Sequence, residues 1–250
     1  MTSVEVAIVI FCCLFIGALV GMALRTIIPQ HQLDPETKDL IKLGVGLIGT
    51  MSALVLGLLV ASTKGAYDTE KSELAQIAGN VILLDRVLAH YGADTADARA
   101  ALRVTVTAMM AHDGSRNRLE KLGQAAPVRG EVVFDKLEDL VPHTDGQREL
   151  LSQAKSLAIA LGQTRWLLFA QSGTSISTPF LVIVVFWLTV LYVSFGLFAP
   201  RNTTAFVTLL VSAASVAGAM FLILDLDHPF TGFMQIADTP LRNALAVLGT

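Results

Sequence analysis

The chain has 250 residues, of which 53% are hydrophobic and 16% are charged, and its formal net charge is -3. This apolar content exceeds that of ordinary soluble domains, and it is concentrated in long blocks, so the composition predicts a membrane protein. The small net charge creates no strong field that would attract nucleic acid, and we expect no nucleic-acid partner.

The first apolar block runs from about Val4 to Leu24, which is long enough for a helix to cross a bilayer. No basic segment precedes it and no small-residue cleavage pattern follows, so we expect a spanning helix and not a cleaved signal peptide. Cys12 and Cys13 are adjacent and lack metal-ligand spacing, so we interpret them as packing residues. A polar loop with Pro29 and Pro35 then reverses the chain.

The second block, Leu43 to Thr63, contains no charged residue. Beyond it the chain becomes polar but keeps apolar residues at helical spacing: Leu74, Ile77, Val81, Leu84, Leu88 and Tyr91. Because no proline lies between Lys42 and Pro127, we predict that the second helix continues as far as Tyr91 and that Gly92 ends it.

Three further helices are predicted in the polar region. One begins at Asp94 or Thr95, where a side-chain acceptor would cap free amides, and ends near His112. Residues 114–130 are interpreted as a loop, and a short helix follows over 131–141. The last helix begins at Thr144, with Gln147 in capping-box spacing.

A linker rich in Ser, Thr and Gly, residues 172–178, precedes a third apolar block, 179–198, and a fourth, 204–224. The fold class is therefore predicted to be all-α, with four transmembrane helices in two hairpins and a helical soluble segment between the second and third. We expect the domains to be residues 1–63, 64–172 and 173–227, followed by a short polar tail, 228–250.

Small residues form a stripe along the second helix at steps of three and four: Gly46, Thr50, Ala53, Gly57 and Ala61, ending at Lys64. Within lipid such a stripe either packs against another helix or lines a narrow conduit, and both interpretations are kept. Lys64 would either attract anions to the conduit or anchor the helix at the interface.

On the first helix, Gly17 and Gly21 lie on one face with Cys13 and Arg25, because the four residues are spaced by four. This face is predicted to be a helix-packing seam. The alternative is that it faces a pore with Arg25 at the pore mouth, although an arginine at a helix end can also reach the interface without such a role.

No pattern typical of a catalytic site occurs in the sequence, and we expect neither an enzyme nor a bound cofactor. Asp225, Asp227 and His228 follow the fourth block, but they are spaced too compactly for a convincing metal site. We interpret them as solvated interfacial groups and expect no metal.

Two segments resemble a known family. The run LIGTMSALVLGLLVASTKGAYDTEKSELAQIAGNVILLDRVLAHYG, Leu47 to Gly92, is similar to the signature of the uncharacterised bacterial bestrophin-like membrane family, and HPFTGFMQI, His228 to Ile236, resembles its C-terminal Pro-Phe-x-Gly element. The resemblance implies the layout of bestrophins, which are pentameric anion channels whose second helix lines the pore. The acidic cluster that binds calcium and the bulky neck residues of those channels have no counterpart in this sequence.

The resemblance also implies a location in the bacterial inner membrane, with the soluble segment in the cytoplasm. Positive charges in the short loops, at Arg25, Lys38, Lys42 and Arg201, favour the opposite orientation, but Lys64, Lys71, Lys155 and Arg165 flank the soluble side about as heavily. We expect the cytoplasmic arrangement.

Two functional hypotheses follow from the sequence. The first is a homo-oligomeric channel for small anions, with the stripe from Gly46 to Lys64 along its path. The second is a non-conducting scaffold or sensor that oligomerises through its long helices, in which case the stripe would be buried between helices.

Overall fold

The computed structural model describes residues 2–29, 34–110, 131–171, 176, 178–229 and 232–248. All regular secondary structure in these ranges is helical, which confirms the predicted all-α class. The predicted loop 114–130 and most of the linker, residues 172–175 and 177, lie outside the described residues.

Four helices are long and apolar enough to cross a membrane, as predicted. They are α1 (Ser3–Ile27), α2 (Pro35–Tyr91), α6 (Thr178–Phe198) and α7 (Thr203–Leu226). The remaining elements are a short 3-10 helix (Ala93–Thr95), α3 (Ala96–Met110), α4 (131–138), α5 (Asp145–Gln171) and α8 (Thr239–Val247).

The start of α2 differs from the prediction, because the helix begins at Pro35 and includes residues expected in the loop. Asp34 Oδ1 accepts a hydrogen bond from the Thr37 amide at 2.8 Å, and Pro35 occupies the first turn, where it has no amide to leave unpaired. The far end agrees with the prediction: α2 ends at Tyr91, and Gly92 has a φ of 127°, a left-handed conformation that favours glycine.

Helix α3 begins at Ala96, directly after the predicted start, but Thr95 does not cap it as predicted. The Thr95 hydroxyl does not accept from free amides but donates to the carbonyls of Leu88, at 2.7 Å, and Gly92, at 2.8 Å. At α5 the predicted N-cap is present, since Thr144 Oγ1 accepts a hydrogen bond from the Gln147 amide at 3.1 Å. The Gln147 side chain accepts from the His143 amide at 2.8 Å and so completes the capped turn.

The chain forms two compact units, Met1–Tyr67 with Thr174–Met234, and Asp68–Gly173 with Gln235–Thr250. Helix α2 contributes residues to both. The C-terminal tail was not predicted to be helical, but α8 places Leu241, Ala244 and Leu248 among the buried residues of the second unit. Their spacing of three and four puts them on one face.

In the first unit, α1 packs against α6 and α7. Leu14 and Ala18 of α1 and Val184 of α6 have no exposed surface, and Phe15 meets Phe206 of α7 edge to face with ring centroids 5.5 Å apart. The hydroxyl of Ser3 donates to the carbonyl of Leu224 at 3.4 Å. This bundle is the apolar core of the membrane-spanning part.

Helices α1 and α6 approach closely through glycine. A Cβ added at Gly21 would overlap the carbonyl oxygen of Val193, and one added at Gly196 would overlap the carbonyl oxygen of Ala18. At Gly17 an added Cβ would lie 3.1 Å from Thr189 Cγ2, which is also tight. Close backbone contact of this kind stabilises helix pairs in lipid, where apolar surface supplies no driving force between helices.

In the second unit, the apolar face predicted on α2 is confirmed, because Leu74, Ile77, Val81, Leu84, Leu88 and Tyr91 are all buried. An ion pair also lies in this core: Arg99 Nε and Nη2 donate to Asp85 Oδ1 and Oδ2 at 2.7 and 3.0 Å. The hydrogen bonds to Asp85 raise the pKa of Arg99. The pair connects α2 to α3.

Replacing Gly21 by alanine should destabilise the first unit by about 1–3 kcal/mol, because the new methyl group meets backbone that cannot yield without separating α1 from α6. Gly218→Ala is the matched control, since a Cβ at Gly218 meets nothing within 4 Å. Thermal unfolding of the detergent-purified protein would measure both. Equal melting temperatures for the two variants would contradict the packing role of Gly21.

Replacing Arg99 by alanine should destabilise the second unit by about 3–5 kcal/mol, because it leaves the buried carboxylate of Asp85 without its bidentate partner. Arg86→Ala is the control, since Arg86 is an exposed neighbour of Asp85 on the same helix. Hydrogen exchange of the amides in α2 and α3 would locate the loss. Unchanged protection in Arg99→Ala would show that the ion pair contributes little.

Candidate pore-lining helix

The membrane-spanning part of α2 is much less buried than the other three spans. Within its most apolar stretch 6% of residues are buried, against 28–33% in the others. Its contact with the core of the first unit is made by one face, which carries Val45, Ile48, Ser52, Val55, Leu59 and Thr63. Two other faces of this part of α2 are exposed among the residues that the structure describes.

The first uncovered face is the small-residue stripe predicted from the sequence. All six of its members are exposed: Gly46, Thr50, Ala53, Gly57, Ala61 and Lys64. A Cβ added at Gly46 or Gly57 would meet nothing within 4 Å, so no helix of the same chain packs on the stripe among the described residues.

The two polar side chains of the stripe, Thr50 and Lys64, each make a contact within α2. The Thr50 hydroxyl donates to the Leu47 carbonyl of its own helix at 2.8 Å, so its hydrogen is already bonded and its oxygen can still accept. At the other end of the stripe, the Lys64 ammonium lies 5.1 Å from the centroid of the Tyr67 ring. Such a cation–π contact holds the charge near this end of the stripe.

The second uncovered face of α2 carries large apolar side chains at the same helical spacing. Its members are between 45% and 76% exposed: Leu40, Leu43, Leu47, Met51, Leu54 and Leu58. The stripe and this leucine face are adjacent around the helix, and the buried face completes the circumference. The helix thus presents three different surfaces.

The predicted residues of α1 do not share a surface with this stripe. Gly17 and Gly21 face α6, as described above. The Arg25 guanidinium donates to the carbonyl oxygen of Ala199, just beyond the end of α6. A cation at that position pairs with the carbonyls that a helix leaves unsatisfied at its C-terminus. A pore-mouth role for Arg25 stays a prediction.

Asp225 was wrongly interpreted as a solvated group. It is 1% exposed, and its two carboxylate oxygens accept from the amides of Phe233, at 3.1 Å, and Met234, at 2.8 Å. A Cβ added at Gly232 would overlap this carboxylate, which is the physical reason for glycine there. The aspartate thus holds the end of α7 to the segment that follows.

The other polar residues near the end of α7 have contacts of their own. No group of three or more potential metal ligands occurs among the residues that the structure describes. His228 Nδ1 lies 3.0 Å from the Leu224 carbonyl oxygen, which accounts for one of its ring nitrogens.

The buried face of α2 also carries polar residues that were not among the predicted site residues. Thr63 has no exposed surface, and its hydroxyl bonds to the carbonyls of Leu59 and Val60 at 2.8 and 3.2 Å. Ser52 is 2% exposed. Their spacing from Val45 and Leu59 would have placed them on the apolar side of the helix, so the signal was present in the periodicity.

Comparison with known proteins identifies the family. The family model of the Bestrophin-like domain matches residues 12–241, nearly the whole chain. No curated protein and no solved structure matches the chain. The match agrees with the resemblance of the segments Leu47 to Gly92 and His228 to Ile236, which lie within it. With four helices able to span a bilayer, the chain is a membrane protein that belongs to the bestrophin-like family.

Proposed function

We propose that this protein is a homo-oligomeric channel for small anions, with the stripe from Gly46 to Lys64 along the conduction path. The observation that carries the proposal is the uncovered stripe. Leaving small residues against acyl chains loses dispersion contacts, so the stripe favours either a partner surface or water in a pore. Family membership favours the pore.

A pore built in this way requires several copies of the chain. In one copy, α1, α6 and α7 pack on one another and α2 covers them with only one face. A closed ring of α2 helices related by rotational symmetry would surround a conduit with identical stripes. The leucine face next to the stripe would then contact a neighbouring subunit or lipid.

The chemistry of the stripe suits a small anion. The stripe contains no acidic residue, and Lys64 places a positive charge at one end of it. The width of a conduit lined by it would be set mainly by glycine and alanine residues. A ring of such lysines, one from each subunit, would raise the local concentration of anions. The proposed location is the bacterial inner membrane, with the second unit in the cytoplasm.

Replacing Gly57 by tryptophan should reduce chloride flux at least tenfold, because one indole from each subunit would fill the conduit without a clash inside the protomer. The measurement is chloride flux into proteoliposomes containing a halide-sensitive dye. The matched control is Gly44→Trp on the same helix, since Gly44 lies off the stripe and a Cβ there also meets nothing within 4 Å. Gly44→Trp should retain the flux of the original protein.

Two results would contradict the proposal: absence of flux in the unaltered protein, or an equal loss in both tryptophan variants. A monomer in nanodiscs, measured by mass photometry, would contradict it as well. If the protein is oligomeric and passes no anions, and if cysteines introduced by Gly46→Cys and Gly57→Cys form crosslinks between copies, the scaffold hypothesis is supported in its place. Lys64→Gln should lower the preference for anions over cations, and Lys64→Arg should retain it.

A further inference from the structure

The second unit contains an apolar cavity of about 270 Å³ between its helices. Its inner wall is formed by Val81 and Leu84 of α2 and by Leu102 and Val106 of α3, all of which are at most 3% exposed. Pockets lined mainly by apolar side chains with a few polar groups are the usual binding sites of small molecules. A cavity of this size in a small helical unit is therefore a candidate binding site.

The cavity exists because one side of α5 is built from small residues. Ala158 and Gly162 lie one turn apart and both line the cavity. A Cβ added at Gly162 would meet nothing within 4 Å. Glycine inside a helix costs about 1 kcal/mol relative to alanine, so this position gives up helix stability and leaves the cavity open.

A positive charge lies at the edge of this apolar space. Arg165 is on the same side of α5 as Ala158 and Gly162, is half-buried and lines the cavity. Burial lowers the pKa of its guanidinium, and the Glu131 carboxylate opposes this effect only in part. A guanidinium has five N–H donors, so it can bind a ligand carboxylate in addition to its protein neighbours.

The charges at the rim favour an anionic ligand with an apolar body. Glu131 and Asp135 also line the cavity, but both are exposed, so solvent weakens their effect. An amine placed inside would lie next to the like charge of Arg165. Since a cavity of about 150 Å³ holds benzene, this one has room for roughly ten carbon atoms.

We propose that the cavity of the second unit binds a linear carboxylate with an apolar chain of roughly ten carbons, whose carboxylate pairs with Arg165. The chain of the ligand lies against α2, α3 and α5. The binding needs no ion conduction, so it can be tested whether or not the protein is a channel.

The test is a titration of the full-length protein in phosphatidylcholine nanodiscs with decanoate. Trp166 lines the cavity and is 53% exposed, so its fluorescence reports binding, and Trp187→Phe removes the other tryptophan of the chain. We expect a saturable change with decanoate. Decanol and decylamine should bind at least tenfold more weakly, because decanol has no negative charge to pair with the guanidinium and decylamine carries a like charge.

Three substitutions separate this site from dissolution of decanoate in lipid. Gly162→Leu and Ala158→Leu each fill the cavity and should abolish the saturable signal, and either one suffices if the other fails to fold. Arg165→Gln should weaken decanoate binding about tenfold without affecting decanol, the size expected for loss of a charge-assisted hydrogen bond. Gly79→Leu is the matched control, since Gly79 is exposed in the same unit with nothing within 4 Å of its added Cβ.

The proposal is overturned if decanoate binds Gly162→Leu and Ala158→Leu as tightly as it binds the unaltered protein. It is also overturned if the signal never saturates, or if decanol and decanoate bind equally well. Saturable binding that is lost in Gly162→Leu and retained in Gly79→Leu supports it.

Discussion

Inside a bilayer the backbone amides and carbonyls find no water, so each segment that crosses must satisfy them itself, and a helix does so. Once the helices have formed, lipid chains are as apolar as leucine, and burial of apolar surface no longer brings the helices together. Association then depends on how closely backbones can approach. In this protein α1 and α6 meet through Gly21 and Gly196, where a methyl group would already overlap the opposite backbone.

The same constraint explains why α2 differs from the other spans. Its membrane-spanning stretch is similarly apolar, but among the described residues a Cβ added at Gly46 or Gly57 would meet nothing within 4 Å. Where a second backbone reaches a glycine seam, as at Gly21, the two helices pack closely. Where none does, as at Gly57, the seam is an exposed surface. The uncovered stripe, in a member of the bestrophin-like family, is the reason for proposing a pore formed by several copies.

The second unit is stabilised by burial of apolar side chains between its helices. Its core consists of apolar faces turned inward from α2, α3, α5 and α8, and it contains the Asp85–Arg99 ion pair. A buried pair of this kind contributes less to stability than its short distances suggest, because both ions lose water. It does connect α2 and α3 through two hydrogen bonds of defined geometry.

The sequence by itself determined the membrane-spanning helices, the end of α2 at Gly92, the buried face from Leu74 to Tyr91 and the family. These features depend on length, apolar content and periodicity, which are local properties of the chain. Only the tertiary structure decided which small-residue face is packed and which is exposed, because both faces repeat at helical spacing and the sequence does not say which one another helix reaches. It also placed Asp225 against the amides of Phe233 and Met234, included the tail helix α8 in a core and left a cavity at Gly162, since each of these results depends on residues that are distant in the chain or in separate elements.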